Sequence, residues 1–218
     1  MKRKKIFFYI LMFLPLTVVL FALPFLPEQI PAHYNFQNQV TRWGSKYETL
    51  IFPVFTILFG YFLLWVSKYS KKQEEDSSNQ ENVCIVAGIV TLILFNATTG
   101  YFLYTDFHKI ENLSEVSVDL YQLLFGLLGV SMIVIGNFMP KLRMNSLIGL
   151  RTVWSMKNEI TWKKSQRFGG ISSMIGGAVI VIISIFTTGA ACFLWTTGVI
   201  IILLIVDSYY TYRISKKY

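Results

Sequence analysis

The sequence predicts an all-α membrane protein with six transmembrane helices and both termini on the cytoplasmic side. Hydrophobic residues make up 54% of the 218 and charged residues only 15%, against about 25% charged in an ordinary soluble domain; the mean hydropathy is +0.51. The apolar residues fall into six runs, 6–26, 49–67, 83–104, 120–139, 171–187 and 190–206, none containing Asp, Glu, Lys or Arg. Each is close to the roughly 20 residues that cross a bilayer, and none keeps the polar face of a soluble amphipathic helix. Alternating these spans with the N-terminus inside puts 17 of the 20 Lys/Arg on one side, leaving only Arg42, Lys46 and Lys109 opposite. Cytoplasmic segments are the ones enriched in such residues.

The basic start, Lys2 to Lys5, precedes the first run like a secretory signal. No small-residue cleavage site follows Ala22, so an uncleaved span kinked at Pro15 is expected. The outer loop 27–48 is rich in Pro, Asn, Gln and aromatic residues and exceeds a plain connector, which predicts a folded cap near the headgroups. The inner stretch 68–82, with KKQEEDSSNQEN, reads as a solvated linker. The next outer loop, 105–119, is acidic through Asp106, Glu111, Glu115 and Asp119 and carries His108. Pro140 ends the fourth span and opens an inner loop, 140–170. Thr188 and Gly189 leave so short a turn that spans five and six are antiparallel neighbours. The organisation expected is thus 1–67, a first helix pair with its outer loop; 68–82, a linker; 83–139, a central pair; 140–170, an inner loop; and 171–218, a C-terminal hairpin and tail.

Enzymatic chemistry finds little foothold. Neither histidine begins the H-E-x-x-H of a zinc hydrolase, and no apolar run holds a carboxylate for an aspartyl dyad. Glu74-Glu75 reads as a solvated acidic run, with Asn79 where a paired-glutamate protease would carry Arg. His33 and His108 share the outer side and, with Asp106, form a possible zinc set; the simpler reading is structural histidines. Asn96, Gln122 and Asn137 are the deepest strongly polar groups, expected in interhelical hydrogen bonds. Asp207 falls just past the sixth run, where an interfacial place near Arg213 is expected. Cys84 and Cys192 lie toward opposite sides of the bilayer, so no internal disulfide is expected. Ser172/Gly176 and Ser173/Gly177 are small-xxx-small pairs suited to close helix packing. No cofactor is implied. The net charge of +8 follows from the inside bias and attraction to anionic lipid, without direct nucleic-acid binding.

The most specific stretch is 136–170, GNFMPKLRMNSLIGLRTVWSMKNEITWKKSQRFGG. Asn145, Gly149 and the pair Gly169-Gly170 suggest turns. Asn158 is placed to cap a short helix with Glu159 in its first turn and Lys163 four residues on. Trp154 and Trp162 suit the headgroup region. This order resembles the SdpI family of bacterial membrane proteins, which give immunity to a secreted killing peptide. The resemblance rests on Gly136, Asn137, Pro140, Lys141, Asn145, Gly149, Arg151, Thr152, Trp154, Trp162, Arg167, Gly169 and Gly170. The outer loop LPEQIPAHYNFQNQVTRWGSK looks like the short DUF1648-like N-terminal segment of that family, through Leu26, Pro27, Ile30, Pro31, His33, Asn35, Gly44, Ser45 and Lys46. Val153 stands where the family has Pro, Gln166 where it has His, and Asn38 where it has Gly.

The resemblance implies a multi-pass immunity protein of a bacterial plasma membrane, not an enzyme. Its partners would be membrane lipid, a secreted peptide toxin and a soluble DNA-binding repressor captured at the membrane. Toxin binding would fall to the outer motif, Pro27, Pro31, His33, Asn35, Trp43 and Lys46. Repressor capture would fall to the inner signature, with Arg151 and Trp154 as anchors. A transporter or metal-dependent membrane hydrolase is the alternative from another class, and a subunit of a larger membrane complex a third reading.

Overall fold

A computed structural model describes residues 2–72, 78–145 and 148–218; the Glu74-Glu75 run lies outside them. Among the described residues six helices are long and apolar enough to cross a membrane. They are α1 (Lys2–Ala22), α2 (Ile51–Lys72), α3 (Ser78–His108), α4 (Leu120–Phe138), α5 (Glu159–Phe186) and α6 (Gly189–Lys217). α1 continues through Pro15. α3 joins two halves: it packs against α1 and α2 on one side and α4 on the other, while α4, α5 and α6 pack together. Leu58, Ile185 and Leu194 are exposed on the flanks, as an apolar solvent around the bundle permits.

Both termini lie at one end. Lys4 donates to Asn82 at 2.7 Å and Lys5 pairs with Glu81 at 2.6 Å, tying the starts of α1 and α3. Lys157 and Asn158 donate to the Ser215 and Tyr218 carbonyls, tying the loop before α5 to the tail. Glycines set the close crossings. A Cβ at Gly60 would stand 2.5 Å from Met12 Sδ and one at Gly88 2.5 Å from a Phe8 ring carbon; Phe8, Met12, Leu11 and Leu92 form the core of the first half. Gly177 faces Gly129 of α4 and Gly176 faces Leu203 of α6, the close approach expected of small residues in lipid.

The opposite end carries a feature absent from an all-helical reading. β1 (Gln29–Tyr34) pairs antiparallel with β2 (Val40–Ser45), Ile30 opposite Gly44 and Pro31 opposite Trp43. The expected folded cap is therefore a β-hairpin. Its turn is built by Asn35, whose Oδ1 accepts from the Gln37 and Gln39 amides, and by Asn38 at φ 65, a left-handed position that Asn tolerates.

Several local expectations are corrected. The helix capped by Asn158 is α5 itself, which starts twelve residues before the apolar run because residues 159–170 bury one face on the neighbouring loop. Gly169 and Gly170 are interior to α5 rather than turns. Glu159 and Lys163 do not form an ion pair. Asn96 does bond between helices, donating to the Leu11 carbonyl at 2.9 Å, but Gln122 closes a capping box with Asp119 and Asn137 is exposed. Asp207 is buried inside α6 and accepts from the Ser172 hydroxyl at 2.7 Å, not from Arg213. α6 runs ten residues past it, so ionisable groups do enter the bundle. Cys84 and Cys192 are both buried, and neither is in a disulfide.

Candidate functional site

The hairpin end is locked from three directions. Ser45 and Glu48 form a capping box that starts the turn into α2. The Glu48 carboxylate also accepts both Arg42 guanidinium nitrogens, at 3.1 and 2.7 Å, a fork that holds β2 onto the turn. Gly44 sits here because a Cβ would meet Ala32 Cβ at 2.7 Å and the Glu48 carboxylate. Lys46 pairs with Glu28 at 2.8 Å. The hairpin docks on the α3–α4 connection through Val40 N to the Glu111 carbonyl and Leu113 N to the Asn38 carbonyl. Tyr34 donates to the Ile110 carbonyl at 2.8 Å; burial pushes its phenol up to about 12, so it stays a donor. Phe36 at the tip packs edge-on to Tyr121 and Phe193. Asp119 links the starts of α4 and α6, accepting from the amides of Gln122 and Gly189.

Beneath the hairpin lies a cavity of ≈ 530 Å³ between Ile30–Tyr34, the start of α2 and the face of α3 that carries Thr99, Phe102 and Asp106. Pro31, His33 and Arg42 line it; Pro27, Asn35, Trp43 and Lys46 do not and instead shape the hairpin. Asp106 is only 3% exposed and accepts from Thr49 Oγ1 at 3.3 Å. The sequence reading assigned Asp106 to an acidic loop. The signal was its helical spacing, seven residues from Thr99 and four from Phe102, which extends α3's face past the apolar run. His33 Nδ1 lies 2.6 Å from Thr41 Oγ1, and His108 Nδ1 lies 2.8 Å from the Tyr104 carbonyl of its own helix. No group of three His, Cys, Asp or Glu able to hold a metal occurs among the described residues.

At the termini end, the signature residues divide into a buried latch and an exposed rim. Asn145 Oδ1 accepts from Ile148 N, and its amide donates to the Arg143 carbonyl. Gly149 has φ +106, which only glycine adopts without strain. Gln166 then clamps the next residue, accepting from Leu150 N and donating to the Leu150 carbonyl, both at 2.9 Å. The buried Gln166 side chain thereby holds this loop against α5. Ser155 and Thr152 exchange hydrogen bonds, and Thr152 reaches Thr211 on α6 at 3.0 Å. Trp162 is 1% exposed and donates to the Leu142 carbonyl at 2.8 Å. It belongs to a core with Val83, Met139 and Leu142 and not to the headgroup region. Gly169 meets Met139 and Leu150, and Gly170 meets Gly136 and Pro140. Lys141, Arg151 and Arg167 are exposed, as are Val153, at 90%, and Trp154, which packs edge-on to Tyr212. Asn137 and Pro140 are exposed too.

Residues 141–210 match the model of the SdpI/YfhL protein family, and residues 10–57 match a domain of unknown function, DUF1648. Immunity protein SdpI of Bacillus subtilis (strain 168) is 27% identical over 169 residues, covering 76% of this chain and 74% of that protein. No solved structure matches the chain. The region 141–210 contains the latch from Asn145 to Gln166, α5 and most of α6, and the region 10–57 contains the hairpin. Over residues 141–210 the chain is similar to the SdpI/YfhL protein family.

Proposed function

We propose that this chain is a plasma-membrane immunity protein that protects a bacterium from a secreted peptide toxin by binding it, without catalysis. The similarity to immunity protein SdpI of Bacillus subtilis supports the class. The observation that carries the binding role is the cavity under the hairpin: Pro31 and His33, two residues of the outer motif, form part of its wall. The termini end faces the cytoplasm in this reading, because it holds 17 of the 20 Lys/Arg. The exposed Arg151, Val153 and Trp154 then form the surface for a soluble repressor, an Arg beside an aromatic being a common hot-spot pairing.

The test is protection in a toxin-sensitive bacterium expressing the chain. Wild type should restore growth, and the Pro31→Ala, His33→Ala double variant should lose protection at unchanged membrane level. Full protection by that variant would remove the hairpin from the site. Reporter fusions after Lys72, Ser155 and Tyr218 check the orientation; a periplasmic signal from Ser155 would reverse it.

A further inference from the structure

We propose that the hairpin cavity binds a cation carried on an apolar body, a lysine or arginine side chain or terminal amine of a membrane-partitioned peptide, with Asp106 as its counter-ion. The proposal rests on the immunity reading for the identity of the ligand as a peptide, but the cation preference stands on the cavity alone.

Four observations lead there. Asp106 is buried, lines the cavity and makes no ion pair with any Lys or Arg among the described residues. A buried carboxylate is costly without a compensating charge. The backbone gives no relief, since Asp106 lies in the last turn of α3, where the helix dipole disfavours an anion. The cavity's own cation, Arg42, is turned onto Glu48. With Asp106 ionised, this leaves a place for one positive group from outside.

The rest of the wall sets what accompanies that charge. Phe52 and Phe102 line the cavity, and aromatic rings attract a cation as well as an apolar chain. Ile51 and Phe55 line it and are also exposed, so it reaches the apolar flank of α2. A ligand partitioned into lipid has a lateral approach there. The volume of ≈ 530 Å³ is in the usual range for a small-ligand pocket, enough for a basic side chain and its neighbours rather than a whole peptide. The hairpin end carries Glu28, Glu48, Asp106, Glu111, Glu115 and Asp119 against Arg42, Lys46 and Lys109. This acidic surplus draws cationic ligands toward it.

The experiment uses the full chain in lipid nanodiscs and two probes, acetyl-Phe-Lys-Phe-amide and the same peptide with norleucine for lysine, with binding followed by calorimetry. Wild type should bind the lysine peptide at least tenfold more tightly. Asp106→Asn, which keeps an acceptor for Thr49, should bring the lysine peptide down to the norleucine level and leave the norleucine peptide unchanged. Equal binding of the two peptides by wild type overturns the proposal, and so does a lysine preference that survives Asp106→Asn. If that variant does not fold, the wild-type comparison alone decides. Protection by wild type without a lysine preference sinks the cation site and leaves the immunity reading standing. A lysine preference without protection does the reverse.

Discussion

Gly136 of α4 and Gly170 of α5 face each other with no room for a side chain on either: a Cβ at Gly170 would stand 2.6 Å from the Gly136 carbonyl oxygen, and one at Gly136 2.7 Å from that of Gly170. The obstacle is backbone in both directions, so it cannot be relieved by a rotamer change. Two helical turns along, Gly129 and Gly177 repeat the arrangement. In lipid, where helices have no hydrophobic drive to associate, such contact is a main source of packing energy.

Gly170→Ala should therefore destabilise the protein by about 1–3 kcal/mol, the usual cost of overpacking. Gly100→Ala is the control: nothing lies within 4 Å of its Cβ position, and helix propensity there should give a gain of about 0.5–1 kcal/mol. Denaturant titration in mixed micelles measures both. Equal behaviour of the two variants would show that the α4–α5 crossing is not close in solution.

Trp162→Phe should cost about 1–3 kcal/mol, the penalty for leaving the buried Leu142 carbonyl unpaired. The same titration reads it. A Trp162 at the lipid headgroups would tolerate Phe with little loss, so the result separates the core position from the interfacial one.

Asn38 holds a left-handed backbone at φ 65 while its carbonyl accepts from Leu113 N. Asn38→Gly should keep the hairpin docked. Asn38→Ala should cost roughly 1–2 kcal/mol, the strain of a Cβ in that conformation. Hydrogen exchange at Val40 and Leu113 amides should accelerate in the alanine variant only.

Arg151→Ala should change stability by no more than about 0.5 kcal/mol, as for an exposed position outside the core. It should leave membrane level and protection intact while abolishing recruitment of a repressor, scored by co-purification with membranes after toxin exposure. Loss of protection together with recruitment would make Arg151 part of the latch, and the separate surface would fall.

The sequence by itself determined the six apolar helices and the basic bias toward one end, because span length and loop charge are local properties that a bilayer reads directly. It also determined the family region, since the joint order of Asn145, Gly149, Arg151, Trp154 and Trp162 is a linear pattern. Only the tertiary structure decided which of these residues remain exposed. Trp162 and Trp154 look alike in sequence, yet one fills a core under Leu142 and the other lies open beside Tyr212. Gly169 and Gly170 read as a turn until α4 is brought against them, when the need for close approach becomes visible. The hairpin register depends on backbone pairing between residues 29–34 and 40–45 and on docking to the distant 110–113 segment, which no local periodicity encodes. Asp106 became a cavity residue for the same reason: its burial comes from the hairpin and α2 closing over the end of α3, contacts made between residues 57 and 76 positions apart in the chain.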